Sequence, residues 1–154
     1  SAECVATPAN ARCAARSTGA DMAFESPAHD DPCPCGRGPT YEACCGPIHQ
    51  GAPAPTAERL MRSRYCAFVV GDAEYLLRSW HASTRPAEME LDAEISWKRL
   101  LIESTSAGGP FDNEGEVTFT AIARTAEGRL EQREHSLFVR SDEGRWVYVN
   151  GDAL

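Results

Sequence analysis

Hydrophobic positions change their period twice along this chain. Residues 1–31 show almost no apolar periodicity and are rich in Ala, Ser, Thr, Pro and Asp, which predicts a flexible tail. Met22 is the expected natural start, with residues 1–21 an upstream extension. From Thr56 the pattern is helical. Leu60, Met61, Tyr65, Phe68 and Val69 recur at helical spacing behind Thr56 as N-cap, and Gly71 closes the helix. Asp72 caps a second helix, in which Tyr75, Leu76, Ser79 and Trp80 share a face up to His81; Arg85-Pro86 breaks it. A third short helix is expected around Ala87–Leu91.

From Glu94 the pattern changes again. Ile95 to Glu103 is rich in β-formers, including Trp97, Leu100, Leu101 and Ile102. Val117, Phe119, Ala121 and Ala123 alternate with polar residues, Arg129 to Arg140 forms a long strand, and Trp146 to Val149 a closing one. Gly108-Gly109-Pro110, Glu127-Gly128 and Asp142-Glu143-Gly144 supply the turns. Helices followed by an antiparallel meander define an α+β domain over residues 56–154. Strand alternation puts Glu134, Ser136 and Phe138 on one face and Arg133, His135 and Leu137 on the other. If the first set points inward, Glu134 needs a partner, because an unpaired buried carboxylate is costly. Arg62 or Arg64 on the first long helix is the expected one, forming an ion pair between helix and sheet.

Between tail and domain lies a different kind of segment, residues 32–50. Cys33, Cys35, Cys44 and Cys45 form a Cys-x-Cys pair, an eight-residue spacer and an adjacent pair. Four thiolates this close are the donor set of a closed tetrahedral zinc site, which has no open position for catalysis by the metal. Pro32, Pro34 and Gly36 help the first pair to wrap tightly. The adjacent pair can share one metal only at a sharp turn or a helix start. Tyr41 is placed to cover the site. The alternatives are an iron–sulfur or other soft-metal centre, a reactive dithiol or Cys44–Cys45 disulfide, and His49 as a ligand in place of Cys45. Cys4 and Cys13 are expected to be free thiols in the tail.

Composition narrows the function classes. The charge is -8, from 15 basic and 23 acidic residues, which argues against general binding to nucleic acid or anionic membranes. Arg59, Arg62 and Arg64 still offer a local basic patch. No apolar run approaches the roughly 18 residues of a membrane helix. Seven cysteines, mostly clustered, do not resemble a secreted disulfide framework and favour a reducing compartment, the cytoplasm.

At two places the residues resemble known families. Cys33-x-Cys35-Gly36-x-Gly38-x-x-Tyr41-x-x-Cys44-Cys45-Gly46 resembles the SEC-C motif, the zinc knuckle of the SecA C-terminus and of many small bacterial proteins. That resemblance implies zinc on Cys33, Cys35, Cys44 and Cys45 and contact with other macromolecules, a protein or ribosomal partner. The motif's usual basic run is thinned here to Arg37. Leu60-Met61-Arg62-Ser63-Arg64-Tyr65-Cys66-Ala67-Phe68, with Tyr75-Leu76, Trp80-His81, Glu134-x-Ser136-x-Phe138 and Trp146-x-Tyr148-Val149-x-Gly151, resembles the uncharacterised bacterial YchJ family. It implies a nuclear-transport-factor-2-like, cystatin-like cone: helices laid across a strongly curved antiparallel sheet. Many members carry a second SEC-C motif at the C-terminus; residues 56–154 hold none.

Two functions are weighed. One is a zinc-stabilised interaction or adaptor protein, with the cone as a second binding face or a homodimer interface through the sheet. The other is a small-molecule binder or enzyme with Tyr65, Trp80, His81, Glu134 and Ser136 walling a pocket in the cone. His81 is the candidate general base there, against a structural role. Cys66 is either a small buried hydrophobe or a nucleophile paired with His81 or His135. A deep cavity with convergent polar groups favours the pocket, and a filled interior favours the adaptor.

Overall fold

The computed structural model describes Phe24 and residues 26–154. The tail's first residues, Met22 and the cysteines Cys4 and Cys13 lie outside the described residues. Three α-helices come first: α1 (Cys45–His49), α2 (Ala57–Val70) and α3 (Ala73–Arg78). Four strands follow: β1 (Ser96–Ala107), β2 (Glu114–Thr125), β3 (Gly128–Arg140) and β4 (Trp146–Ala153). They form one antiparallel sheet in the order β1-β2-β3-β4.

Helix α2 begins where Thr56 Oγ1 accepts from the Arg59 amide at 3.1 Å. It ends at Gly71, whose φ of 79° is left-handed and closes the helix without a side-chain clash. Asp72 Oδ1 accepts from the Tyr75 amide at 3.0 Å and opens α3. The second helix was expected to reach His81 but stops at Arg78. The next residues are taken by the sheet: the Tyr148 amide donates to Ser79 O at 2.9 Å and the His81 amide to Tyr148 O at 2.7 Å. Residues 79–81 thus cover the outer edge of β4, which would otherwise expose unpaired backbone groups.

No helix forms around Ala87–Leu91. Met89, Leu91, Ala93, Ile95 and Trp97 are buried while their neighbours are not. That is a period of two, which an extended chain satisfies and a helix cannot. The chain then turns just before β1, where the Ile95 amide donates to Asp92 O at 3.2 Å.

The sheet bends over the helices. Register shifts fall between Trp97 and Arg99, between Ile102 and Ser104, and between Leu137 and Phe138. Extra residues at such points increase local twist and bend. On the concave side, Val117, Phe119, Ala121, Ala123, Glu134, Ser136, Phe138, Trp146 and Tyr148 are buried, as strand alternation requires. Helix α2 packs across β1, β2 and β4. Its Met61, Tyr65 and Phe68 meet this face, with Tyr65 and Phe68 edge-on to Trp97. The opposite face is polar, with cross-strand pairs Arg133–Glu103 and His135–Glu116 at 2.9 and 2.8 Å.

Phe24, in the segment read as a tail, is partly buried against the core with its ring over Gly71. The cysteine knuckle also belongs to the core. All four of its cysteines and Ile48 fall in one buried cluster with the helices and the sheet.

Two glycines let the β1–β2 hairpin close under the start of α2. The Ala57 amide donates to Gly108 O at 2.9 Å. A methyl on Gly115 would lie 2.5 Å from Gly108 Cα and 2.9 Å from Ala57 Cβ, and both belong to rigid elements. Gly115→Ala is therefore expected to lower unfolding stability by about 1–3 kcal/mol in urea titrations. At Gly109 an added methyl meets only the Asp112 carboxylate at 3.3 Å, and Gly109→Ala is expected to cost clearly less.

Candidate metal centre

The sulfurs of Cys33, Cys35, Cys44 and Cys45 all lie within 4.8 Å of one another, and all four residues are buried. The Cys35–Cys44 and Cys44–Cys45 sulfur distances are 3.5 and 3.9 Å. A tetrahedral centre with metal–sulfur bonds of about 2.3 Å spaces its sulfurs about 3.8 Å apart, so these residues fit a thiolate-bound metal. The adjacent pair is not a disulfide, whose sulfurs would be about 2 Å apart.

Local backbone explains how so irregular a spacing converges. Pro32 and Thr40 form an antiparallel bridge, and the Cys33 amide donates to Pro39 O at 3.0 Å, so the spacer folds back on the first pair. Tyr41–Ala43 is one tight helical turn, which Cys44 closes with its amide on Tyr41 O at 3.1 Å. Cys45 is already the first residue of α1. The adjacent cysteines thus share one centre because a sharp turn ends at one and a helix begins at the other. Gly46 makes room: a Cβ there would sit 2.8 Å from Tyr41 O.

Helix α2 holds the knuckle from the other side. Arg59 Nη2 donates to Cys44 O at 3.5 Å, Arg62 Nη1 to Cys35 O at 2.9 Å, and Ser63 O accepts from His49 Nε2 at 2.8 Å. From the knuckle itself, Arg37 Nε donates to Cys44 Sγ at 3.3 Å. Four thiolates around a divalent ion carry two net negative charges, and Arg37, Arg59 and Arg62 oppose them. The basic patch after the knuckle is therefore partly spent inside the molecule. The Cys33 thiol is driven well below the ordinary range, because the thiols of Cys35, Cys45 and Cys66 hydrogen-bond to it.

His49 is not a ligand. Its Nε2 faces a carbonyl and so carries the proton, and its Nδ1 then accepts from Tyr41 Oη at 2.8 Å. Both ring nitrogens are used in tying the knuckle to α2. The ring also packs on Tyr75 at 4.7 Å between centroids, and Arg78 Nη2 donates to His49 O at 2.6 Å.

The residues considered for a pocket are placed differently. Tyr65, Trp80, Glu134 and Ser136 are at most 2% exposed, packed into the cone beneath α2. Trp80 and Phe138 each lie edge-on to Tyr148. Of these side chains only Tyr65 lines one of the three clefts that can be described, a cleft of about 430 Å³ beside Pro32, Pro34, Trp97 and Lys98. His81 sits in a surface turn, its Nδ1 accepting from the Ser83 amide at 3.0 Å. Both candidate arginines have contacts of their own. Arg62 pairs with Glu58 at 2.9 Å and bonds the Cys35 carbonyl. Arg64 is fully buried between the Trp80 and Tyr148 rings, and its Nη1 donates to Leu76 O and Ser79 Oγ at 2.8 and 2.7 Å. Burial pushes its pKa down to about 10.

Cys66 is completely buried on α2, while His81 sits in a surface turn. His135 lies on the outer face with Glu116. Sequence reading placed Arg59 in a basic patch and missed its contact with the knuckle, where it reaches Cys44 O. The signal was present: Arg59 and Arg62 are spaced i, i+3 on one stripe of a helix.

Geometry therefore defines a class: an antiparallel α+β cone with a four-cysteine knuckle welded to its first long helix. Residues 56–151 match the family described as YchJ, middle NTF2-like domain. The chain belongs to this uncharacterised bacterial family. A UPF0225 protein of Streptomyces coelicolor is 56% identical over 124 residues, spanning 80% of this chain and 96% of the relative. One from Corynebacterium efficiens is 51% identical over 126 residues, spanning 80% and 95%. Among solved structures, a SEC-C motif containing protein from Rhodopseudomonas palustris superposes with a TM-score of 0.67 at 30% identity, over 79% of this chain and 98% of that one. Another, from Psychrobacter arcticus, gives 0.63 at 26%, over 77% and 80%. The expected cone and SEC-C knuckle are thus both found.

Two outcomes test the knuckle's electrostatics. Removing the guanidinium beside Cys44, as in Arg37→Ala, is expected to weaken metal binding by up to about tenfold, less at high salt, in a competitive chelator titration. Burial lowers the His49 pKa, so the neutral ring is the folded form. Its contribution to stability is full above the unfolded value of about 6.5 and is lost as pH falls from there through the lower folded value. The His49 ring protons, followed by NMR, are expected to titrate with a midpoint below about 6.5.

Proposed function

We propose that this protein is a zinc-stabilised interaction module of the bacterial cytoplasm. Its zinc is structural and held by Cys33, Cys35, Cys44 and Cys45; its partner is a protein or ribosomal surface. The observation that carries this reading is the closed, buried thiol cage locked onto α2. Four thiolates leave no coordination position for a substrate, so the metal's role is to hold a surface in shape. The tight spacing of the sulfurs suits a single ion better than a multi-iron cluster, whose cysteines sit on different irons.

The cone supports the same reading. Large side chains (Trp80, Tyr65, Tyr148, Phe119 and Phe138) fill the space where a ligand would lie. The pocket side chains proposed for an enzyme are packed instead of presented, and His81 faces the surface turn. Among the described residues no helix is long and apolar enough to cross a membrane. The acidic balance disfavours unspecific binding to nucleic acid. The convex sheet face, with its charged cross-strand pairs, is the surface through which a homodimer would form.

The test combines metal analysis with affinity capture from native bacterial lysate. Intact protein is expected to carry about one zinc per chain and to retain a defined partner. A Cys44→Ser/Cys45→Ser variant that keeps its sheet, checked by circular dichroism, is expected to lose both. Retention of the same partner by the metal-free variant would reduce the knuckle to a purely structural role.

A further inference from the structure

A small cleft of about 60 Å³ lies between the end of α1 with the linker after it and, across from them, α3 with the start of β4. The guanidinium-bearing residues Arg78 and Arg145 both line it. Arg78 Nη2 donates to His49 O at 2.6 Å, and Arg145 Nη1 donates to Gly51 O at 3.0 Å. Carbonyls two residues apart thus anchor both arginines to the same wall. Arg78 is held further by stacking on Tyr75, 4.9 Å from the ring centroid. Among the described residues neither arginine has a carboxylate partner, and each side chain makes only the one hydrogen bond. Each therefore keeps N–H groups for a ligand. In a chain of net charge -8, two guanidiniums on one narrow cleft with no anion beside them are out of balance.

A third donor stands in the same wall. Trp146 lines the cleft at 3% exposure, and its indole Nε1 has no hydrogen-bond partner. The Arg140 guanidinium lies over its ring, 4.6 Å from the centroid, and holds it in place. Trp80, by contrast, donates its indole N–H to Thr84 Oγ1 at 3.1 Å. A buried N–H left unpaired is costly, and an acceptor that reached it would recover that cost. Arginine and tryptophan side chains only donate, so the ligand they suit accepts on every side. Two guanidiniums match a dianion, and their forked N–H groups match phosphate oxygens. The volume is about twice the roughly 30 Å³ share of one water molecule, which suits a phosphate group and excludes a nucleoside.

We propose that this cleft binds a phosphate group, free or as the end of a small monoester, between Arg78 and Arg145 with the Trp146 indole as third donor. No sulfur of the cage takes part, so the site stands apart from the metal reading. A phosphate seated there would tie the end of α1 to α3 and β4, and would stabilise the fold by mass action.

Titration of the intact chain with inorganic phosphate at constant ionic strength, followed by nitrogen–proton NMR, tests the proposal. The Trp146 indole signal, identified by its loss in Trp146→Phe, is expected to move downfield and saturate with a Kd in the millimolar range or tighter. The Trp80 indole, already bonded to Thr84, is expected to stay in place. Arg78→Gln and Arg145→Gln are each expected to weaken binding at least about tenfold, and the double variant to abolish it. Both side chains are exposed, so the far-UV circular dichroism of these variants is expected to match that of the intact protein. Arg129→Gln, an exposed arginine paired with Glu131 on the sheet, is expected to bind as the intact chain does. Phenyl phosphate separates the two sources: tighter binding than inorganic phosphate assigns the monoester, weaker binding the free ion, and both support the site. Absence of saturable movement in the intact chain up to about 50 mM phosphate would overturn the proposal. Equal movement with acetate, or full binding by the double variant, would overturn it as well.

Discussion

Four sulfurs held within 4.8 Å of one another are a strained proposition for a protein without a metal to neutralise them. Their thiolate form is mutually repulsive, and their thiol form wastes buried polar atoms. Much of the surrounding structure can be read as an answer to that constraint. Arg37, Arg59 and Arg62 bring positive charge or hydrogen bonds to the cage, and the 3₁₀ turn and α1 place Cys44 and Cys45 at a junction where both can point to one centre. His49 then uses both ring nitrogens to fix the end of α1 to α2. A metal bound here is coupled to folding, because it would be held by a surface that exists only when the knuckle is docked.

This coupling changes how the two parts relate. A knuckle joined by a linker would be a mobile module, whereas here it shares a core with the cone. Helix α2 is the common element: one stripe faces the cage and the opposite side lies on the concave sheet. A single helix so engaged transmits position between the two, and a partner that recognises the knuckle would meet it in a fixed orientation. The cone's interior is spent on packing. Arg64, sandwiched between Trp80 and Tyr148, is a buried charge whose ring contacts and two hydrogen bonds secure α2 and α3 to β4.

Much of this was legible beforehand, for a physical reason. Side-chain period is local, so the amphipathic stripe of α2, the alternation in β2 and β3 and the meander order followed from residues near in sequence. The burial of Glu134, Ser136 and Phe138 on one side of β3 follows from the same pleat. The cysteine spacing, unusual as it is, has few uses other than a metal. The errors came where a distant element won. Residues 79–81 left the helix because β4 offered them backbone partners, and residues 87–91 stayed out of a helix because the core buries Met89 and Leu91, two positions apart. Arg62 is held by a carbonyl of the knuckle and Arg64 by two aromatic rings, partners that lie far off in the sequence.

By itself the sequence determined the period of each element, the turns between them and the identity of the four clustered thiols, because those depend on neighbours a few residues apart. Only the tertiary structure decided which way α2 faces. That choice turned a basic patch into the support of the cage and gave His49 a structural duty. Contacts of this kind join residues 14, 15 and 27 positions apart, and no local pattern encodes the rotation of one helix about its axis against a knuckle.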